Sequence, residues 1–383
     1  MVRDGASRLL TMRPRKGRRW GSLMIRISAI ALVLAAASLS SAFADPVADF
    51  YKGRTMTVVI SGSTGSTYDV GTRLIVKYMS RYIPGQPQIV PKSMIGAGHL
   101  IATNYLYNAA ERDGSVIGSI GETVPMAHLL TPQQTKFNAA EFFWLGNPAI
   151  TNTTIITWHA TGVRTLHDAM KRDVVLGASG AGSPSSQVPQ ILNNVLGTRF
   201  KIINGFPATA IDVAMERGEV EARGGISLAR LKSFRRAWIE EKKVNLLVQI
   251  GLRPDPMFAD VPLLETYARN EAERRVFQFM SSSSMVGRPL VAPPGVPAER
   301  VAALRRAFDL TMQDKEFLAE AAKLRLDVEP LAAAELQALV AEIARTPAED
   351  VAVIQAAHAT GKSFNCKDIV KDVKLCEGKG DGE

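Results

Sequence analysis

Twice in this chain a β-branched, apolar run passes through a loop of small residues into an amphipathic helix, and this repeated grammar narrows the fold more than any other feature. Thr55-Met-Thr-Val-Val-Ile-Ser61 lacks a clean alternation, as a strand buried on both faces does. Gly62-Ser-Thr-Gly-Ser-Thr67 follows it. Val70, Leu74, Ile75, Tyr78, Met79 and Tyr82 then recur at helical spacing until Pro84. The second unit runs from Asp173-Val-Val-Leu-Gly177 through Ala178-Ser-Gly-Ala-Gly-Ser183 into a helix opened by Pro184. Val188, Ile191, Leu192, Val195 and Leu196 share one face of that helix, and Ser183 before Pro184 suits its N-cap and first turn. With a strand at Val244–Ile250 and helices at Ala298–Met312 and Ala332–Ala344, the pattern predicts an α/β fold with mostly parallel sheets flanked by helices.

The formal net charge of +9 suggests a basic protein, but its distribution says otherwise. Residues 1–44 hold eight bases (Arg3, Arg8, Arg13, Arg15, Lys16, Arg18, Arg19, Arg26) and one acid, Asp4. The other 339 residues carry 38 bases and 36 acids, a net of +2. No concentrated positive field remains for nucleic acid, which is excluded as a partner. The N-terminal basic stretch precedes an apolar run, Ile27-Ser-Ala-Ile-Ala-Leu-Val-Leu-Ala-Ala-Ala37, and then Ala42-Phe43-Ala44. That is the pattern of a secretory signal peptide over 1–44, cleaved after Ala44, with Met24 as an alternative start. The apolar run falls short of the roughly 20 residues a permanent anchor needs. A periplasmic location follows. At 339 residues the mature chain exceeds what one core usually organises, so two lobes are expected.

Cys366 and Cys376 lie in a Lys/Asp-rich tail over 362–383. In an oxidising compartment they read as a disulfide, and their spacing matches no zinc or haem pattern. The five histidines (His99, His128, His159, His167, His358) form no HxxxH or HExxH group, so no metal and no cofactor are expected.

The two small-residue loops place backbone N–H groups and the hydroxyls of Ser63, Thr64, Ser66 and Thr67, beside Gly65, at a helix N-terminus, where an anion is favoured. Neither loop has the lysine of a nucleotide P-loop or the GxGxxG spacing, which points to a carboxylate rather than a triphosphate or dinucleotide. Gly205–Ile211 leads into a further helix, and Arg223-Gly-Gly-Ile-Ser227 is expected as a loop after a short strand at 219–222. Loops beyond the carboxyl ends of strands converge in open α/β sheets. A competing reading is a serine hydrolase: Gly177-Ala-Ser179-Gly-Ala181 resembles a nucleophile elbow, but His358 is the only histidine downstream of Ser179.

Five segments in order resemble the solute-binding receptors of tripartite tricarboxylate transporters, also called Bug receptors. They are Thr64–Arg73, Ser93–His99, Ala110–Gly118, Gly177–Ser185 and Leu290–Glu299, and the likeness extends from Asp49 to Val340. Thr64, Ser66 and His99 depart from the family pattern, as does Asn204-Gly-Phe-Pro-Ala208. The resemblance implies a two-lobed type II periplasmic binding protein, a Venus flytrap, that is a monomer and not an enzyme. It implies a small organic acid as ligand and a membrane permease as partner, with a sensor partner as the alternative. Lobe 1 would comprise 45–148 plus 281–361 and lobe 2 149–280, with a crossover at Ser281–Ser284. Ligand contacts would come from Ser63, Thr64, Gly65, Ser66, Thr67, Asp69 and Glu122 in the first lobe, and Ser179, Ser183, Ala208 and Gly225 in the second. Asp69 would hold its loop or a water rather than face a like-charged ligand. No arginine lies in the two small-residue loops, so no arginine clamp is expected there.

Overall fold

The chain was described from a computed structural model, which covers residues 45–359. The signal peptide expected at 1–44 and the disulfide expected between Cys366 and Cys376 lie outside the described residues. Residues 47–359 belong to one compact unit built on two five-stranded sheets.

The first sheet takes β1 (Thr55–Ile60), β2 (Gln88–Ser93), β3 (Val116–Ser119) and β4 (Phe143–Gly146). The chain then builds the second from β5 (Thr153–Trp158), β6 (Val174–Gly177), β7 (Phe200–Ile203), β8 (Ala222–Ser227) and β9 (Val244–Ile250), and β10 (Leu290–Ala292) returns to the first. The orders are β2-β1-β3-β10-β4 and β7-β6-β8-β5-β9. The α/β expectation holds, but the sheets are mixed rather than mostly parallel. β1 pairs in parallel with β2 and β3, and β6 with β7 and β8. By contrast β10 opposes β3 and β4, and β5 opposes β8 and β9. Helical crossovers keep neighbours parallel. β5 and β10, the strands that carry the chain into a new sheet, enter it in the opposite sense.

Two local expectations change. Arg223–Ser227 is not a loop but most of β8, held by antiparallel pairing from Thr153↔Ser227 to Thr157↔Ala222. Ser281–Ser284 lie inside the Glu271–Val286 helix, where Ser283 Oγ donates to Met280 O (2.7 Å). The turn back to the first sheet comes at Gly287 (φ 59°), where a Cβ would press on Asn147 and Ala149.

The largest apolar cluster draws Val59, Ile120 and Trp144 from the first sheet's side and Ile155, Leu176 and Val248 from the second's. Each such side chain contributes about 1.5–3 kcal/mol when fully buried. Met56, Ile75, Phe308 and Phe317 form a second cluster against the first sheet, and Ile156, Ile226 and Trp238 a third against the second. The Ala348–His358 helix packs on the Pro184–Leu196 and Glu271–Val286 helices and on Ala127–Leu130.

Candidate functional site

The carboxyl ends of β1, β2, β3, β6 and β7 open onto a cavity of about 330 Å³, with β8 forming part of its wall. Four helices of at least nine residues begin at its wall: Thr67–Met79, Leu100–Asn108, Pro184–Leu196 and Ala208–Glu216. The residues capping them, Ser66, His99, Ser183 and Pro207, all line it. Each cap ends a short connection from a strand, so the fold aims the positive ends of four helices at one space.

In the first loop Ser66 Oγ accepts from Asp69 N (3.3 Å). The Asp69 carboxylate accepts from Gly65 N (2.9 Å) through Oδ2 and from Arg73 Nε (2.7 Å) through Oδ1. Asp69 therefore straps the loop from behind and does not line the cavity. Thr64 and Gly65 do not line it either. The turn closed by Ser66 N donating to Ser63 O (2.9 Å) exposes both to solvent. Ser63, Ser66 and Thr67 do line it, and the buried Ser63 Oγ has no hydrogen-bond partner.

From the second sheet come Ser179, Ser183, Ala208 and Gly225. Ser185 Oγ accepts from Ser179 N (2.9 Å) and lies 3.1 Å from Ser179 Oγ and 2.6 Å from Ser183 Oγ, joining the three hydroxyls. The two walls meet directly. Thr123 Oγ1 donates to Gly182 O (2.8 Å), and Gly98 (φ 62°) packs so closely that a Cβ would collide with Gly182 and Ser183 N. Eight of the eleven residues expected from the sequence thus border one cavity.

The cavity is also lined by side chains outside the eleven expected contacts, alongside the expected Glu122. Ser61 Oγ and His99 Nδ1 lie 2.8 Å apart, and the His99 ring packs on Tyr68 with centroids 4.8 Å apart. Burial pushes His99 down to about 4, leaving a neutral imidazole at pH 7. Glu122 is the buried acid of this wall; burial raises it to about 7 although Arg288 opposes the rise. Arg288 stands over the Tyr68 ring (5.6 Å to the centroid). Arg223 and Arg230 line the opposite wall. All three arginines arrive from elements other than the two small-residue loops: β8, the Leu228–Phe234 helix and the turn before β10. Only Arg223 carried a signal, its place beside Gly224-Gly225. Among the described residues no cluster of His, Cys, Asp or Glu could hold a metal ion, and no helix is long and apolar enough to cross a membrane.

No protein-family model matches the chain, and no curated protein matches it in sequence. Its structure, in contrast, is similar to solved ones. MatC of Rhodopseudomonas palustris, with bound malate, aligns at a TM-score of 0.62 and 21% identity over 80% of this chain and 99% of that one. Rpa4515 of the same organism, with adipate, aligns at 0.61 and 17% identity over 79% and 97%. The periplasmic binding protein BugD aligns at 0.63 and 18% identity over 80% and 98%. The two-sheet architecture with a cavity between the sheets' loops is therefore that of the two-lobed solute-binding proteins, the fold the sequence motifs implied.

Proposed function

We propose that this chain is a periplasmic solute-binding receptor that captures a small organic acid in the cavity and presents it to the permease of a tripartite tricarboxylate-type transporter. The observation that carries this reading is the convergence of four helix N-termini on one cavity. Their partial positive charges favour an anion, and a carboxylate uses them without a metal or covalent chemistry. Malate and adipate in two proteins of the same fold support the ligand class. The lobes are taken as 45–148 plus 281–361 and 149–280, with Gly98 meeting Gly182 where they close. The competing hydrolase reading is weaker, since the hydroxyl of Ser179 meets Ser185 and not an imidazole.

A thermal-shift panel of mono-, di- and tricarboxylates with their neutral amides tests the reading. A ligand at a hundred times its Kd adds about 2.7 kcal/mol to stability. Shifts confined to the acids are expected. A panel in which acids and amides act alike, or in which none acts after bound ligand has been removed, overturns it.

A further inference from the structure

On the lobe division proposed above, the two lobes also meet away from the cavity, at the end of the Leu228–Phe234 helix. Ser227, the N-cap of this helix, and Arg230 in its first turn line the cavity, where Arg230 Nη2 pairs with the buried Asp212 (2.7 Å). Lys232 and Ser233 follow in the next turn and reach residues 325–327, which belong to the other lobe. Lys232 Nζ lies 2.8 Å from Asp327 Oδ2 and 3.0 Å from Asp255 Oδ2. One ammonium thus bridges a carboxylate from each lobe, and Ser233 Oγ donates to Arg325 O beside it.

The two carboxylates are anchored to different bodies. Asp255 is fixed to the second sheet, since its N–H donates to Gln249 Oε1 of β9 (2.9 Å) and its Oδ1 accepts from Met257 N (3.0 Å). Asp327 is fixed to the first. Leu326 and Val328 on either side of it pack on the Met56–Phe308 cluster, Leu326 N donates to Ala321 O (2.9 Å) and Glu329 N to Pro148 O (3.1 Å). Arg325 opens this segment at a left-handed φ of 55°, uncommon for a residue with a Cβ. The Asp255 side chain is 14% exposed and that of Asp327 44%, so when the lobes part Lys232 keeps Asp255 and gives Asp327 to water. Burial works against the Lys232 ammonium, but Asp327 and Asp255 together raise it above its ordinary value, and it stays charged.

We propose that Lys232 is an interlobe latch: its bridge from Asp255 to Asp327, with Ser233 on Arg325, holds the lobes in the closed arrangement and breaks at Asp327 when they part. Lys232 is a positioning residue, which touches no ligand and acts through the helix whose other end carries Ser227 and Arg230. The inference rests on the two-lobe receptor reading and adds what holds the closure. Ion pairs this exposed shift an equilibrium by about fivefold at most, so the latch tunes closure and does not create it.

Hydrogen exchange of the full mature chain, free of ligand, reads the latch directly. Asp327→Asn should speed exchange at the facing walls, residues 96–100 and 180–186, by about threefold to fivefold at low salt and leave β9 as in the parent. At about 1 M salt, where the screening length is about 3 Å, parent and variant should converge. Lys232→Met should reproduce the effect, whereas Asp255→Asn, which leaves the interlobe pair in place, should stay within about twofold of the parent. Wall exchange that is unchanged in Asp327→Asn, that differs equally at high salt, or that rises together with β9 overturns the latch. Stopped-flow release of malate and adipate gives a second readout, expected to be about threefold to fivefold faster in Asp327→Asn with association within about twofold. If these acids bind and the walls do not respond, the latch alone falls. If the walls respond as expected and no acid of the panel binds, the latch stands and the organic-acid reading falls.

Discussion

Ser63 carries a buried hydroxyl with no partner at the cavity wall, and such a group costs about 1–3 kcal/mol in an empty site. Ser63→Ala should therefore leave the melting temperature of the ligand-free protein unchanged or raised. Acid affinity should fall about 5–20-fold, equivalent to about 1–2 kcal/mol. A variant that melts lower and binds as before would place Ser63 in the scaffold alone. Glu122 and His99 act on stability with opposite signs. Glu122 lies at about 7 in the fold against 4.5 in a free chain, so its contribution is complete below pH 4.5 and is lost as pH rises through about 7. His99 lies at about 4 against 6.5, so its contribution is complete above pH 6.5 and is lost as pH falls through about 4. Between pH 4.5 and 6.5 the two oppose each other. Glu122→Gln should leave a stability that rises with pH across this window, by at most on the order of 3 kcal/mol. His99→Asn, which keeps a side chain tolerant of the left-handed φ of 81°, should leave one that falls as pH rises to about 7. Urea melts of the ligand-free variants from pH 4 to 8 check both, and profiles that match the parent's would contradict the assignment.

Among the elements, the strand–loop–helix units were legible because their signals are local. Ser66 and Ser183 each precede a first helical turn, and a buried strand ends before each loop. Strand direction was not legible, since whether β5 and β10 enter with or against their neighbours depends on partners more than sixty residues away in the chain. Likewise Arg230 and Arg288 reach the cavity from segments with no local mark of a site. The Gly96-Ala97-Gly98 turn shows how sequence-local glycine serves a distant contact: Gly98 holds φ at 62° and admits the backbone of Gly182 and Ser183. Gly98→Ala should strain that turn by about 1–3 kcal/mol and push the two walls apart. Its acid affinity should drop about tenfold or more with an unchanged far-ultraviolet dichroism spectrum, the energy being that of one such strain term. Unaltered affinity would mean that the walls need not meet for binding.

For the molecule as a whole, the Ala348–His358 helix ties the Pro184–Leu196 helix to the rest through Asn194, whose Nδ2 donates to Ala357 O and Ala359 O (2.7 Å each). Asn194→Ala should cost about 1–3 kcal/mol in a urea melt, since it leaves two carbonyls unpaired. A loss within experimental error would show the helix to be held by its apolar contacts alone. The two-lobed plan was legible from chain length and motif order, whereas the charge of the cavity appears only once β8 and the Leu228–Phe234 helix are folded against Asp212. That charge and the four helix starts make one claim together: an organic acid sits between the two sheets' loops. The crystal structure of the mature chain saturated with the tightest acid of the panel tests it most directly. The account predicts the acid in the cavity, a carboxylate at the Ser63–Thr67 turn and the walls closed at Gly98 and Gly182. An acid bound elsewhere on the chain, with the cavity free of it, would contradict the account.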